Sequence, residues 1–135
     1  MNTKAKSMLG VLLLYVLAVG AGIATFAGLR DLHPLVSVLI ADLVATVVVF
    51  LGSVVARNSS MYDAYWSVIP PFIAWAFAVE GQNIPVGRTV LLMVALNIWA
   101  VRLTVNWGRG WSGLRHEDWR YVMLRKDAKV PGWIT

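Results

Sequence analysis

"SMLGVLLLYVLAVGAGIATFAGL", residues 7–29, contains no charged side chain. At 1.5 Å per residue a helix of that length reaches roughly 34 Å, enough to cross a hydrocarbon core about 30 Å thick. Lys4 and Lys6 stand before it, as in a secretory signal peptide. The apolar run is longer than a cleaved h-region, and further apolar segments follow, so a retained anchor is expected. Small residues recur four apart within it, Ala18 with Gly22 and Ala24 with Gly28, which lets another helix approach closely.

Working outward, three more apolar segments follow. The second starts near Pro34, a residue suited to a first helical turn, and runs to about Ala56 with a single acid, Asp42. The third covers roughly residues 62–79 and is interrupted by Pro70 and Pro71. The fourth runs over residues 86–105 and carries Asn97 and Arg102. The remainder, 106–135, reads as a polar, aromatic-rich tail holding an interfacial amphipathic segment. The expected fold is all-α: one polytopic membrane bundle of about four transmembrane helices.

Composition agrees. Of 135 residues, 59% are hydrophobic and 14% charged, against roughly 45–50% and 25% in soluble domains. No cysteine is present, which excludes disulfides, thiol nucleophiles and Cys-ligated metals. His33 and His116 stand far apart, so no metal site is expected. The net charge of +5 reads as an orientation signal, not as a nucleic-acid footprint. With four crossings, Lys4, Lys6, Arg57, Arg109, Arg115, Arg120, Arg125, Lys126 and Lys129 share one side, and only Arg30 and Arg88 lie on the other. That bias places both termini in the cytoplasm.

The stretch "NSSMYDAYWSVIPP", residues 58–71, concentrates polar and aromatic groups before two prolines. Ser60 with Asp63 three residues later fits a capping box, with Ser60 as the N-cap of the third helix. Tyr62, Tyr65 and Trp66 fit an interfacial aromatic belt. The prolines leave the carbonyls of Trp66 and Ser67 without their helical donors, so a second reading is a kinked helix whose polar end faces a pocket.

Intramembrane charges are costly and usually paired or set in a wet cavity. An Asp42–Arg102 pair is therefore one option, and snorkelling of Arg102 is another. Arg102, Asn106 and Arg109 share one helical face that presents two guanidiniums to a phosphate group or to lipid headgroups. In "RHEDWRYVMLR", residues 115–125, helical spacing puts Asp118, Tyr121 and Arg125 on one face, while Trp119, Val122 and Met123 form an apolar stripe.

"NSSMYDAYWSVIPP", "WAVRLTVNWGRGWSGLRHEDWRYVMLR" and their spacing resemble the N-terminal half of the DUF1295 family, integral membrane proteins of bacteria related to steroid 5-alpha-reductases. The resemblance covers roughly residues 34–125. It rests on Asn58, Ser59, Tyr62, Asp63, Tyr65, Trp66, Ser67 and Pro70, on Arg102, Leu103, Thr104, Asn106 and Trp107, and on residues 116–121. It implies an NADPH-dependent reductase of lipid-like or steroid-like enones in the bacterial inner membrane. Tyr62, Asp63 and Tyr65 become the candidate catalytic groups by that resemblance. Arg102, Asn106, Asp118, Arg120 and Tyr121 become the candidate cofactor neighbours. Members of the family continue into a second half with an "SRHPNYFGE"-like run that this sequence lacks. The expectation is a truncated or split reductase with an incomplete cofactor site, completed by a missing half or a homo-oligomer. The alternative is a non-enzymatic membrane protein acting by helix–helix association.

Overall fold

The computed structural model describes residues 3–81 and 85–127. They form α1 (Thr3–Gly28), α2 (Pro34–Ala56), a 3-10 turn (Ser59–Met61), α3 (Tyr65–Glu80), α4 (Val86–Gly110) and α5 (Trp119–Asp127). No strand occurs among the described residues. Lys129 and the end of the tail lie outside them, as does the side chain of Arg125.

The polarity pattern explains the elements. α1, α2 and α4 are the helices long and apolar enough to cross a membrane among the described residues. Their outer faces carry Leu13, Leu17, Leu39, Leu43, Leu91 and Ile98, all exposed in the isolated chain. Hydrocarbon is the natural solvent for such surfaces. α2 begins with Pro34, as expected, and the His33 imidazole Nδ1 accepts from the Leu35 N–H at 3.3 Å. α4 runs five residues further than expected, to Gly110.

The third element differs most from the sequence-based expectation. It begins at Tyr65, not 62, and has 16 residues, about 24 Å and so shorter than a full span. It continues helically through Pro70 and Pro71. The Ser60–Asp63 capping box does not form. Ser60 lies inside the 3-10 turn, whose N-cap is Asn58, and Ala64 precedes α3 without a side-chain cap. The reason is competition: both side chains have longer-range partners, described below. α3 still traverses the bundle, because Glu80 at its end meets Arg30 beyond the end of α1, Nε to Oε1 at 3.6 Å.

Packing is tightest where α1 crosses α2. Ala18 and Ala45 are fully buried there. A Cβ on Gly22 would stand 3.3 Å from the Ala41 carbonyl oxygen and 3.4 Å from the Ala45 Cβ. The Ala18/Gly22 pair is thus a close-approach seam, whereas a Cβ on Gly28 would meet nothing within 4 Å. With lipid as solvent, such van der Waals fit replaces the hydrophobic drive between helices. The core continues toward the α2–α3 connection through Val11, Tyr15, Val49, Met61, Tyr65, Ile69 and Trp111. There the Tyr15 hydroxyl donates to the Met61 carbonyl.

Candidate functional site

One end of the bundle gathers the start of α1, the α2–α3 connection and the segment after α4. Asn58 is the centre of that assembly. It is 1% exposed, and an amide buried so deeply must find partners for all its hydrogens. Its Nδ2 donates to the carbonyls of Leu114 at 2.9 Å and His116 at 3.1 Å, and its Oδ1 accepts from the Ser60 N–H at 3.0 Å. The neighbouring residues repeat the pattern. The Ser59 N–H donates to Glu117 Oε1 at 2.9 Å, and the Asp118 N–H donates to Ser60 Oγ at 2.7 Å. Trp107 Nε1 donates to the Ser60 carbonyl at 3.2 Å, and its ring stacks on Trp111 with centroids 4.8 Å apart. The 58–60 segment is therefore a clamp for residues 114–118.

The clamp delivers α5 to Asp63. The Tyr121 hydroxyl donates to Asp63 Oδ1 at 2.5 Å. The Arg120 guanidinium lies 3.6 Å from Asp63 Oδ2 and grips Asp118 with two bonds, 2.9 Å and 3.0 Å long. Asp118 Oδ1 also accepts from the Arg120 N–H at 2.9 Å. Asp63 is only 22% exposed at its side chain, Arg120 57%. The Arg120 bonds hold the Asp118 carboxyl down to about 2. Burial, then the hydrogen bond to Asp63, pushes the Tyr121 phenol above its ordinary value, so it remains a donor at neutral pH. A half-buried carboxylate accepting a phenol hydrogen bond beside a guanidinium is chemistry suited to polarising or protonating an oxygen on a bound molecule.

The expected site residues separate into groups. Asp63, Asp118, Arg120 and Tyr121 form this single cluster. Tyr62 stands beside it with its ring 5.2 Å from Trp66 and 5.6 Å from Tyr65. Tyr65 points into the core, 1% exposed, with its hydroxyl 3.5 Å from Thr46 Oγ1. Arg102 and Asn106 are exposed on α4 and share no hydrogen bond or ion pair with the cluster. Arg102 does not pair with Asp42 either: among the described residues no ion pair joins the two. The clamp roles of Asn58, Ser60 and Glu117 escaped the sequence reading. Asn58 and Glu117 entered it only through the family resemblance and Ser60 as a helix cap, because partners 56–58 positions away leave no local signal.

Below the cluster, between α1, α2, α3 and α4, lies an apolar cavity of about 890 Å³. Ser67 lines it and stands four residues after Asp63. The Ser67 and Thr104 hydroxyls are 2.8 Å apart on its wall. Ile23, Phe72, Trp75 and Val101 also line it, yet all four are exposed. The cavity therefore opens sideways, toward lipid in a bilayer.

A lipid-facing helical bundle with a hydrogen-bonded polar cap at one end and a cavity between its helices defines a helical membrane protein. Its family is shown by residues 49–134, well over half the chain, which match the profile described as a protein of unknown function, DUF1295. The chain belongs to that family. It is also 32% identical over 85 residues to an uncharacterized protein of Schizosaccharomyces pombe. That stretch covers 61% of this chain but 24% of the yeast protein, so the chain spans about a quarter of that relative's length. No solved structure matches the chain.

Proposed function

We propose that this chain supplies the membrane and substrate-side part of an NADPH-dependent reductase acting on a carbon–carbon double bond conjugated to a carbonyl in a lipid-like molecule. The observation that carries the reading is the Asp63–Tyr121–Arg120 cluster standing one short segment above a laterally open apolar cavity. The cavity would take the apolar body of a substrate from the bilayer and exclude water from it. Tyr121 Oη holds a proton at neutral pH, and Asp63 positions it. Arg120 holds the Asp118 carboxylate charged and fixed, and its guanidinium stands 3.6 Å from Asp63 Oδ2.

NADPH, when bound, would supply the hydride. The fit of the cofactor to the candidate residues is uneven. Arg102 and Asn106, one turn apart and exposed on α4, offer a guanidinium and an amide to an anionic group. Arg120 spends Nε and Nη2 on Asp118, which leaves Nη1 as its donor for an anionic group.

The test is NADPH oxidation with cholest-4-en-3-one by the purified chain in nanodiscs, alone and after co-expression with the remaining portion of a longer family member. Enone-dependent oxidation that falls on Asp63→Asn and on Tyr121→Phe supports the reading. Absence of NADPH binding in both settings overturns it.

A second reading is favoured by α4, whose apolar window is only 6% buried. By it the chain is a non-enzymatic partner whose α4 face packs against another membrane protein or a second copy. It predicts a stable oligomer in detergent that Asp63→Asn leaves intact, and a strictly monomeric particle counts against it.

A further inference from the structure

Asp42 sits on α2, well inside a membrane span, and lines the cavity. It has no hydrogen-bond or ion-pair partner among the described residues. An intramembrane carboxyl without a partner is costly, and such groups ordinarily mark a site that receives a ligand or ion. The other polar groups on the cavity wall each have a partner of their own. Arg30, at the far end, pairs with Glu80 and lies over Phe26. Ser67 and Thr104 bond each other. Asn97 Nδ2 donates to the Met93 carbonyl at 2.7 Å, which leaves its Oδ1 as a further acceptor. Phe72 and Trp75 add aromatic rings to the wall. Among the described residues the cavity lining therefore offers one carboxyl without a partner, the Asn97 amide with an acceptor and a hydrogen to spare, and aromatic walls, while its cation, Arg30, is paired with Glu80.

That combination is complementary to an amphiphilic cation. A carboxylate forms a charge-assisted bond to an ammonium, aromatic faces add cation–π attraction, and apolar walls take an alkyl chain. Lining residues on α3 run from Ser67 to Val79, about 18 Å of helix, which matches an elongated molecule. The side opening admits it from the bilayer.

We propose that the cavity is a binding site for a lipophilic amine, whose ammonium group pairs with Asp42. The inference goes beyond the reductase reading and does not depend on it.

Tritiated N,N-dimethyldodecylamine tests it, titrated against the full chain in phosphatidylcholine nanodiscs, with empty nanodiscs subtracted and uncharged dodecanol as competitor. Saturable binding is expected, weakened roughly tenfold or more by Asp42→Asn, the scale for truncating one partner of a desolvated charge pair. Arg88→Gln, on the exposed start of α4 and outside the cavity lining, should leave it unchanged. Dodecanol should compete at least about tenfold more weakly than unlabelled amine. No saturable binding overturns the proposal. Equal binding by Asp42→Asn, with its elution and thermal unfolding intact, does so too, as does dodecanol competing as well as the amine. Should Asp42→Asn fail to fold, the dodecanol comparison in the unmodified chain still decides. Amine binding with no NADPH binding, alone or with the remaining portion, refutes the reductase reading alone. Oxidation without Asp42-dependent amine binding refutes this one alone.

Discussion

The Tyr121 hydroxyl donates a 2.5 Å hydrogen bond to Asp63, joining residues 58 positions apart in the chain. It is the contact that ties α5 to the turn before α3, and it makes one cluster of two sequence motifs that helix spacing alone keeps separate. Removing it with Tyr121→Phe leaves the ring in place and the Asp63 carboxylate without its phenol donor. The expected cost is about 1 kcal/mol, held down by partial solvent exposure. Hydrogen exchange should show α5 losing protection while α1 and α2 keep theirs.

Tyr121 should also titrate late. Its phenol is raised above the ordinary 10.0, chiefly by burial. A group whose folded value is raised contributes stability that is fully present below the unfolded value and is lost as pH rises through the folded one. The bundle should therefore loosen at α5 only in strong alkali. A difference ultraviolet titration of the unmodified chain against Tyr121→Phe should reveal one phenol ionising above the ordinary range. An ordinary titration would contradict the placement of Tyr121.

Asp118 works in the opposite sense. Its carboxyl is lowered from 3.8 to about 2, first by the Arg120 side chain and then by the Arg120 N–H. Its contribution is present above 3.8 and disappears as pH falls through about 2. Asp118→Asn should abolish whatever acid-dependent change in α5 exchange occurs in that window.

Asn58→Leu should be the most damaging change at this end. It strips three hydrogen bonds from a buried position and leaves the Leu114 and His116 carbonyls without their donor. A loss of about 2–3 kcal/mol is expected, with residues 111–118 becoming protease-sensitive before the helices unfold.

Gly22→Leu should disturb the other end of the core. The α1–α2 crossing has no room for a side chain beside the Ala41 carbonyl, so the helices must separate. Overpacking of this kind costs about 1–3 kcal/mol, read as a lowered unfolding temperature in detergent. Gly28→Leu, where a Cβ meets nothing within 4 Å, is the control and should be close to neutral.

Arg57→Gly should act the other way. Arg57 closes α2 in the left-handed region, with φ 50° and ψ 41°, a conformation that glycine adopts without a Cβ penalty. Relief of that strain, offset by the greater chain entropy of glycine, predicts a gain of up to about 1 kcal/mol. A thermal shift in detergent measures it.

Length and hydropathy by themselves determined that this chain lives in a membrane. Residues 7–29 have no polar side chain able to hold them in water, and α2 and α4 repeat the pattern. Pro34 marked a helix start, and Ala18 with Gly22 marked a close-packed seam, because both effects are local or follow one helical face. The family resemblance was legible for the same reason: its motifs are contiguous. The capping box was misread because local spacing cannot show that Ser60 and Asp63 are claimed by residues 118 and 121. Side-chain hydrogen bonds go to whichever partner the fold brings nearest, and that choice was made by the docking of residues 114–118 on Asn58. Tertiary structure alone also decided that Asp42 faces a cavity without a partner among the described residues and that Arg102 lies elsewhere. Helical periodicity assigns a residue to a face, but only the packing of four helices determines what that face meets.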